Sequence, residues 1–129
     1  MPEQFTKPFK GIVYNKEKIV DIAACVCPPY DVISDVRSYY KRNDFNAIRL
    51  ELPQSPPSMD KYSAARQTMD MWLNEGILTQ DIKDTVYVME QEFDIGGIKF
   101  LRRGFIALNK LDKQRILTHE ETRKKAKLS

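Results

Sequence analysis

The chain has 129 residues, 42% of them hydrophobic and 30% charged, which suits one soluble domain with a modest core. No apolar run approaches the ~20 residues of a membrane span, and residues 1–10 lack the apolar stretch of a signal peptide. The net charge of +3 is concentrated at one end: residues 110–129 hold seven Lys/Arg against three acids, a balance of +4 that leaves −1 elsewhere. That distribution argues against a basic groove for nucleic acid on the folded surface, and the expected location is the cytoplasm.

Residues 9–14 and 18–22 read as two short strands around a turn at 15–17. Cys25 and Cys27 form a C-x-C pair, a spacing that would strain a disulfide. They are expected as two buried or half-buried thiols. With His119 the only histidine, no metal site is expected. Pro28 and Pro29 stiffen the next loop, because neither donates to a ladder and the second restricts the first. Ser34 then reads as the N-cap of a helix over 35–41, with Asp35 in its first turn. Residues 46–52 alternate Ile48, Leu50 and Leu52 with Arg49 and Glu51, a period of two that predicts a half-buried strand ended by Pro53.

A helix is predicted over 59–75, with Ser58 as N-cap. Tyr62, Ala65, Met69, Trp72 and Leu73 share one face, and Gly76 follows where a left-handed cap is wanted. Trp72 reads as core rather than as a ligand platform. Residues 85–95 and 98–108 flank Gly96-Gly97, the signal of a two-residue hairpin turn. That turn sets Ile95 opposite Ile98, Phe93 opposite Phe100, Gln91 opposite Arg102, Asp94 opposite Lys99 and Glu90 opposite Arg103. One face is mostly apolar, interrupted by Gln91 and Arg102, which either bond each other or line a polar site. Gly104 removes bulk beside them. A last helix could begin at Thr118, with Glu121 completing a capping box.

No phosphate-binding glycine motif and no C-x-x-C pair occurs. Tyr30-Asp31 can be a turn, with Asp31 accepting backbone N–H bonds, or can face a cleft with Asp31 as base or cation ligand. His119-Glu120-Glu121-Thr122 can be a helix start. It can also be a site, with His119 as proton carrier or anion contact, Glu120 as acid or base and Thr122 as a phosphate contact.

Eight blocks occur in order: Pro28-Pro29-Tyr30-Asp31-Val32-Ile33-Ser34, Arg42-Asn43, Asn46 through Pro53, Tyr62-x-x-Ala65, Trp72-x-x-x-Gly76-Ile77-Leu78, Tyr87 through Phe93, Arg103 through Leu108 and His119-Glu120-x-Thr122. Together they resemble the N-terminal part of the uncharacterised prokaryotic family known as domain of unknown function one thousand and fifteen, often labelled ParB-like. The resemblance implies a small α/β domain. It further implies kinship with a superfamily of nucleotide hydrolases, sulfiredoxin-like enzymes and free-serine kinases, and a chain that stops before a family Asp-Arg.

The combined expectation is an α/β fold over residues 1–129, a mixed sheet with a long hairpin and two or three packed helices. The expected function is that of a nucleotide- or phosphate-ligand-binding domain of a ParB-like small-molecule phosphotransferase or hydrolase, with a nucleotide or phosphorylated small molecule as partner and a nucleoside triphosphate with Mg as candidate cofactor. Asp31, His119 and Glu120 are the candidate catalytic residues; Tyr30, Asn46, Arg49, Gln91, Arg103 and Thr122 are the candidate ligand contacts. The alternatives are a regulatory or DNA-binding module using Arg123, Lys124, Lys125 and Lys127, or a non-catalytic interaction domain.

Overall fold

The computed structural model describes residues 5–116. The chain is α/β, with three α-helices and antiparallel strand pairs among the described residues. It divides into two compact units. One is Gly11–Ile82; the other joins the described residues before Gly11 to those after Ile82.

In the Gly11–Ile82 unit, β2 (Ile12–Tyr14) pairs antiparallel with β3 (Leu78–Gln80), setting Tyr14 opposite Leu78. The expected strand over 18–22 is absent. Asn15 explains the change: its Nδ2 donates to the Gly76 carbonyl at 2.9 Å, its Oδ1 accepts from the Glu17 amide, and the Ile19 amide returns to its own carbonyl. The chain therefore turns through 15–19 and runs into a 3₁₀ turn, Ile22–Cys25, capped by Asp21. A second 3₁₀ turn, Tyr30–Val32, follows the two prolines.

Helix α1 (Val36–Arg42) is capped by Asp35, not Ser34: its Oδ1 accepts from the Ser38 amide. The strand expected over 46–52 is also replaced. Residues Ile48–Glu51 form the single-turn helix α2. Asn46 causes this, because its buried Oδ1 accepts from the Ile48 amide at 2.9 Å and starts the turn. Apolar residues at 48, 50 and 52 fit a period of two, but over so short a run the pattern cannot tell strand from helix.

Helix α3 (Lys61–Asn74) starts later than expected. Asp60, not Ser58, is its N-cap, accepting from the Tyr62 and Ser63 amides at 3.0 Å each. Its end is as expected. Gly76 has φ +74°, its amide bonds the Leu73 carbonyl, and the Ile77 amide bonds the Trp72 carbonyl, the paired bonds of a Schellman cap. The cap brings Ile77 back against Trp72 in the core formed with Ile19, Cys25 and Leu78. Trp72, 2% exposed, meets the Phe45 ring edge-on at 5.9 Å, and burial of a side chain that size stabilises the unit by about 3 kcal/mol. Tyr14 closes this core by donating to the Phe45 carbonyl at 2.7 Å.

In the other unit, β4 (Tyr87–Ile95) and β5 (Ile98–Ile106) form the long hairpin in the expected register, Ile95 opposite Ile98 through Tyr87 opposite Ile106. Gly96 and Gly97 have φ of +59° and +82°, as a type I′ turn demands. A short ladder joins β1 (Thr6–Lys7) to β6 (Leu108–Asn109), and Phe9 bridges to Thr85. Phe9 thus belongs with the hairpin, where its ring packs on Tyr87 at 5.3 Å, and not with β2 as expected.

Candidate functional site

Six of the nine candidate residues are among the described ones, four in the Gly11–Ile82 unit and two on the hairpin. Tyr30 and Asp31 stand exposed on the 3₁₀ turn after the prolines, where the Val32 amide bonds the Pro29 carbonyl. Asn46 and Arg49 belong to the same unit but point inward to the backbone. Asn46 is fully buried; its Nδ2 donates to the carbonyls of Ala24 at 2.8 Å and Val26 at 3.1 Å. With Oδ1 accepting from the Ile48 amide, the side chain ties the start of α2 to residues 24–26. Arg49 donates to the carbonyls of Asn43 and Tyr40 at 2.8 and 3.1 Å, and its guanidinium lies over the Tyr40 ring. These contacts hold the C-terminal end of α1, where a cation meets carbonyls left without helical partners.

Gln91 and Arg103 lie on the hairpin. Arg102 donates twice to Gln91 Oε1, and Arg103 pairs with Glu90 at 2.8 Å. The first pair satisfies the polar interruption of the face; the second is an exposed cross-strand ion pair of small energetic weight. His119, Glu120 and Thr122 lie outside the described residues, as do Arg123, Lys124, Lys125 and Lys127.

The structure adds a site that the sequence pattern hid. A cleft of about 450 Å³ in the Gly11–Ile82 unit is bounded by Tyr30, the Leu50–Pro53 segment at the end of α2, and Lys61, Tyr62 and Ala65 at the start of α3. Tyr62 reads by spacing as one of the buried stripe. Because α3 begins only at Lys61, Tyr62 falls in its first turn, beyond the core, and is 76% exposed. Tyr30, 64% exposed, supplies the second aromatic side chain. Lys61 Nζ stands 5.1 Å from the Tyr62 ring centre, a cation–π contact that keeps the amine beside the cleft. Glu51 provides the one carboxylate in the lining. The cleft thus offers two flat apolar surfaces, a cation and an acid, with Leu50, Leu52, Pro53 and Ala65 as its apolar floor. The only signal that could have found it is the pair Lys61-Tyr62 following the helix cap at Asp60.

Titration in this unit is governed by burial. Burial raises the Tyr14 phenol well above its ordinary value, helped by the neighbouring Cys25 and Cys27. Burial also raises both thiols, with Asp21 acting on Cys25 and Glu51 on Cys27. These are protonated thiols and not activated nucleophiles. Both are free, Cys25 buried and Cys27 half-buried, as expected. Hydrogen bonds from Ser63 lower the Asp60 carboxyl, in keeping with its capping role. Among the described residues no group of three His, Cys, Asp or Glu is placed to hold a metal ion, and no helix is long and apolar enough to cross a membrane.

No curated protein and no solved structure matches the chain. One family does, over residues 6–129, so the eight ordered blocks and the matched span agree: the chain belongs to the family described as Protein of unknown function (DUF1015).

Proposed function

We propose that the chain is a ligand-binding domain whose Tyr30–Tyr62 cleft takes a small molecule with a flat ring and a phosphate, a nucleotide being the leading class. The observation that carries the reading is the convergence of two exposed tyrosines and Lys61 on one cleft of about 450 Å³, within the volume range of small-molecule sites. Stacking on a tyrosine is worth about 1–3 kcal/mol per base. Lys61 meets the phosphate as a point charge. Glu51 accepts from sugar hydroxyls.

Of the residues picked out from sequence, Tyr30 is the one that acts directly in this reading. Asn46 and Arg49 hold the backbone that shapes the cleft's surroundings. The proposal is of binding, with no reaction assigned.

Ligand-observed nuclear magnetic resonance with adenosine mono- and triphosphate, and inorganic phosphate as control, tests it. The nucleotides should show saturation transfer from the protein, lost in Tyr30→Ala and weakened in Lys61→Ala. Equal transfer in the wild type and both variants would overturn the assignment.

A further inference from the structure

Independently of the cleft, the β4–β5 hairpin carries a surface with no partner among the described residues. On one face, Met89, Phe93, Ile95, Ile98, Phe100 and Ile106 are each two-fifths or more exposed. At on the order of 100 Å² apiece, they present roughly 600 Å² of apolar surface, at the upper end of what a monomer exposes without a partner. An isolated two-stranded ribbon is marginal in water, and this one is nine residue pairs long, with Phe9 packed only at its Tyr87 end among the described residues.

We infer that this face closes on the same face of a second copy, as a dimer with its two-fold axis running along the ribbon. The charge pattern disfavours pairing through the edges, and the ring positions suit closure face to face. Glu90, Glu92 and Asp94 lie on β4, whereas Lys99, Arg102 and Arg103 lie on β5. A two-fold pairing of β4 edges would set acids beside acids, and one of β5 edges would set cations beside cations, both unfavourable across a ladder. An axis along the ribbon instead places β4 of each copy over β5 of the other. Phe93 then covers Phe100 of the second copy, extending the stacked pair these rings already form at 5.6 Å. Arg102, which donates to Gln91 within one hairpin, meets a second amide oxygen from the opposite copy. The ribbon is only two strands wide, so the guanidinium stays near water at its edge. Two such faces bury roughly 1,200 Å², above the ~1,000 Å² that separates specific interfaces from chance contacts.

Sedimentation velocity over a micromolar-to-millimolar range tests the inference. The wild type should pass reversibly from monomer to dimer. Phe93→Glu should weaken dimerisation by at least ~10-fold, while Phe105→Glu, on the opposite face, should leave it unchanged. An isotope-mixed sample of wild type guards against misfolding of the variants, and should show intermolecular contacts between Phe93 and Phe100. A monomer throughout, open-ended growth through the edges, an equal effect of both variants, or no such ring contacts would overturn the closed dimer.

Discussion

The Asn46 side-chain amide donates to the Ala24 carbonyl at 2.8 Å, tying the start of α2 to the 3₁₀ turn that carries buried Cys25. Two further bonds, to Val26 and from Ile48, use its second donor and one acceptor site of Oδ1 inside the protein. Replacing Asn46 with Ala leaves the buried Ile48 amide without its acceptor and two half-buried carbonyls without donors, and an unsatisfied buried group costs ~1–3 kcal/mol. Asn46→Ala should therefore lower unfolding stability by about 3 kcal/mol in urea denaturation. Asn46→Asp should be at least as damaging at neutral pH, since a carboxylate cannot donate to either carbonyl.

Alkaline pH should destabilise the protein. Burial raises Tyr14, Cys25 and Cys27, so folding holds all three neutral. Their contribution is complete below the ordinary unfolded values, about 8.5 for cysteine and about 10 for tyrosine. It is lost as pH rises toward the folded values, because the unfolded chain releases those protons first. Denaturation midpoints should fall progressively above pH ~9. Tyr14→Phe should be less stable at neutral pH, having lost the bond to Phe45, yet show a flatter alkaline decline. A decline of unchanged slope would refute the assignment to Tyr14.

The hairpin turn should tolerate one substitution and resist its neighbour. Gly96 and Gly97 both occupy the left-handed region, and nothing crowds a Cβ at either position. Asn-Gly is the favoured type I′ sequence, so Gly96→Asn should keep the hairpin. Gly97→Val forces a β-branched residue to positive φ and should cost about 1–2 kcal/mol. Amide hydrogen exchange across β4 and β5 should speed up in Gly97→Val and stay near wild type in Gly96→Asn.

These elements show what could be read from the chain. The hairpin register was legible because a period of two met a glycine pair that fixes the pairing. The end of α3 was legible because Gly76 supplies the cap. The pairing of β2 with β3 was not, since it joins segments far apart in sequence and leaves no local trace. The helix at 48–51 was misread because its start is set by one side chain, Asn46, whose bonding partners come from 24 and 26. In the same way, Asn46 and Arg49 gave the residue types of a binding site but serve the backbone. Tyr62 had the spacing of a core residue but lies in the first turn of its helix.

Tyr62 offers a clean separation of binding from folding. It is exposed, so Tyr62→Ala should change stability by no more than ~0.5 kcal/mol. The loss of one stacking surface should nevertheless weaken nucleotide binding by about 5- to 100-fold. Trp72→Ala should do the opposite of the first result. It should destabilise by about 3–5 kcal/mol through the cavity left in the core, as followed by circular dichroism in urea.

The most direct test of the central claim is a two-dimensional amide titration of the wild type and Tyr62→Ala with adenosine triphosphate. The account predicts saturable shifts centred on Tyr30, Leu52, Lys61 and Tyr62 in the wild type, with much weaker binding in the variant. Shifts that avoid these residues at millimolar nucleotide, or identical titrations of the two proteins, would contradict it.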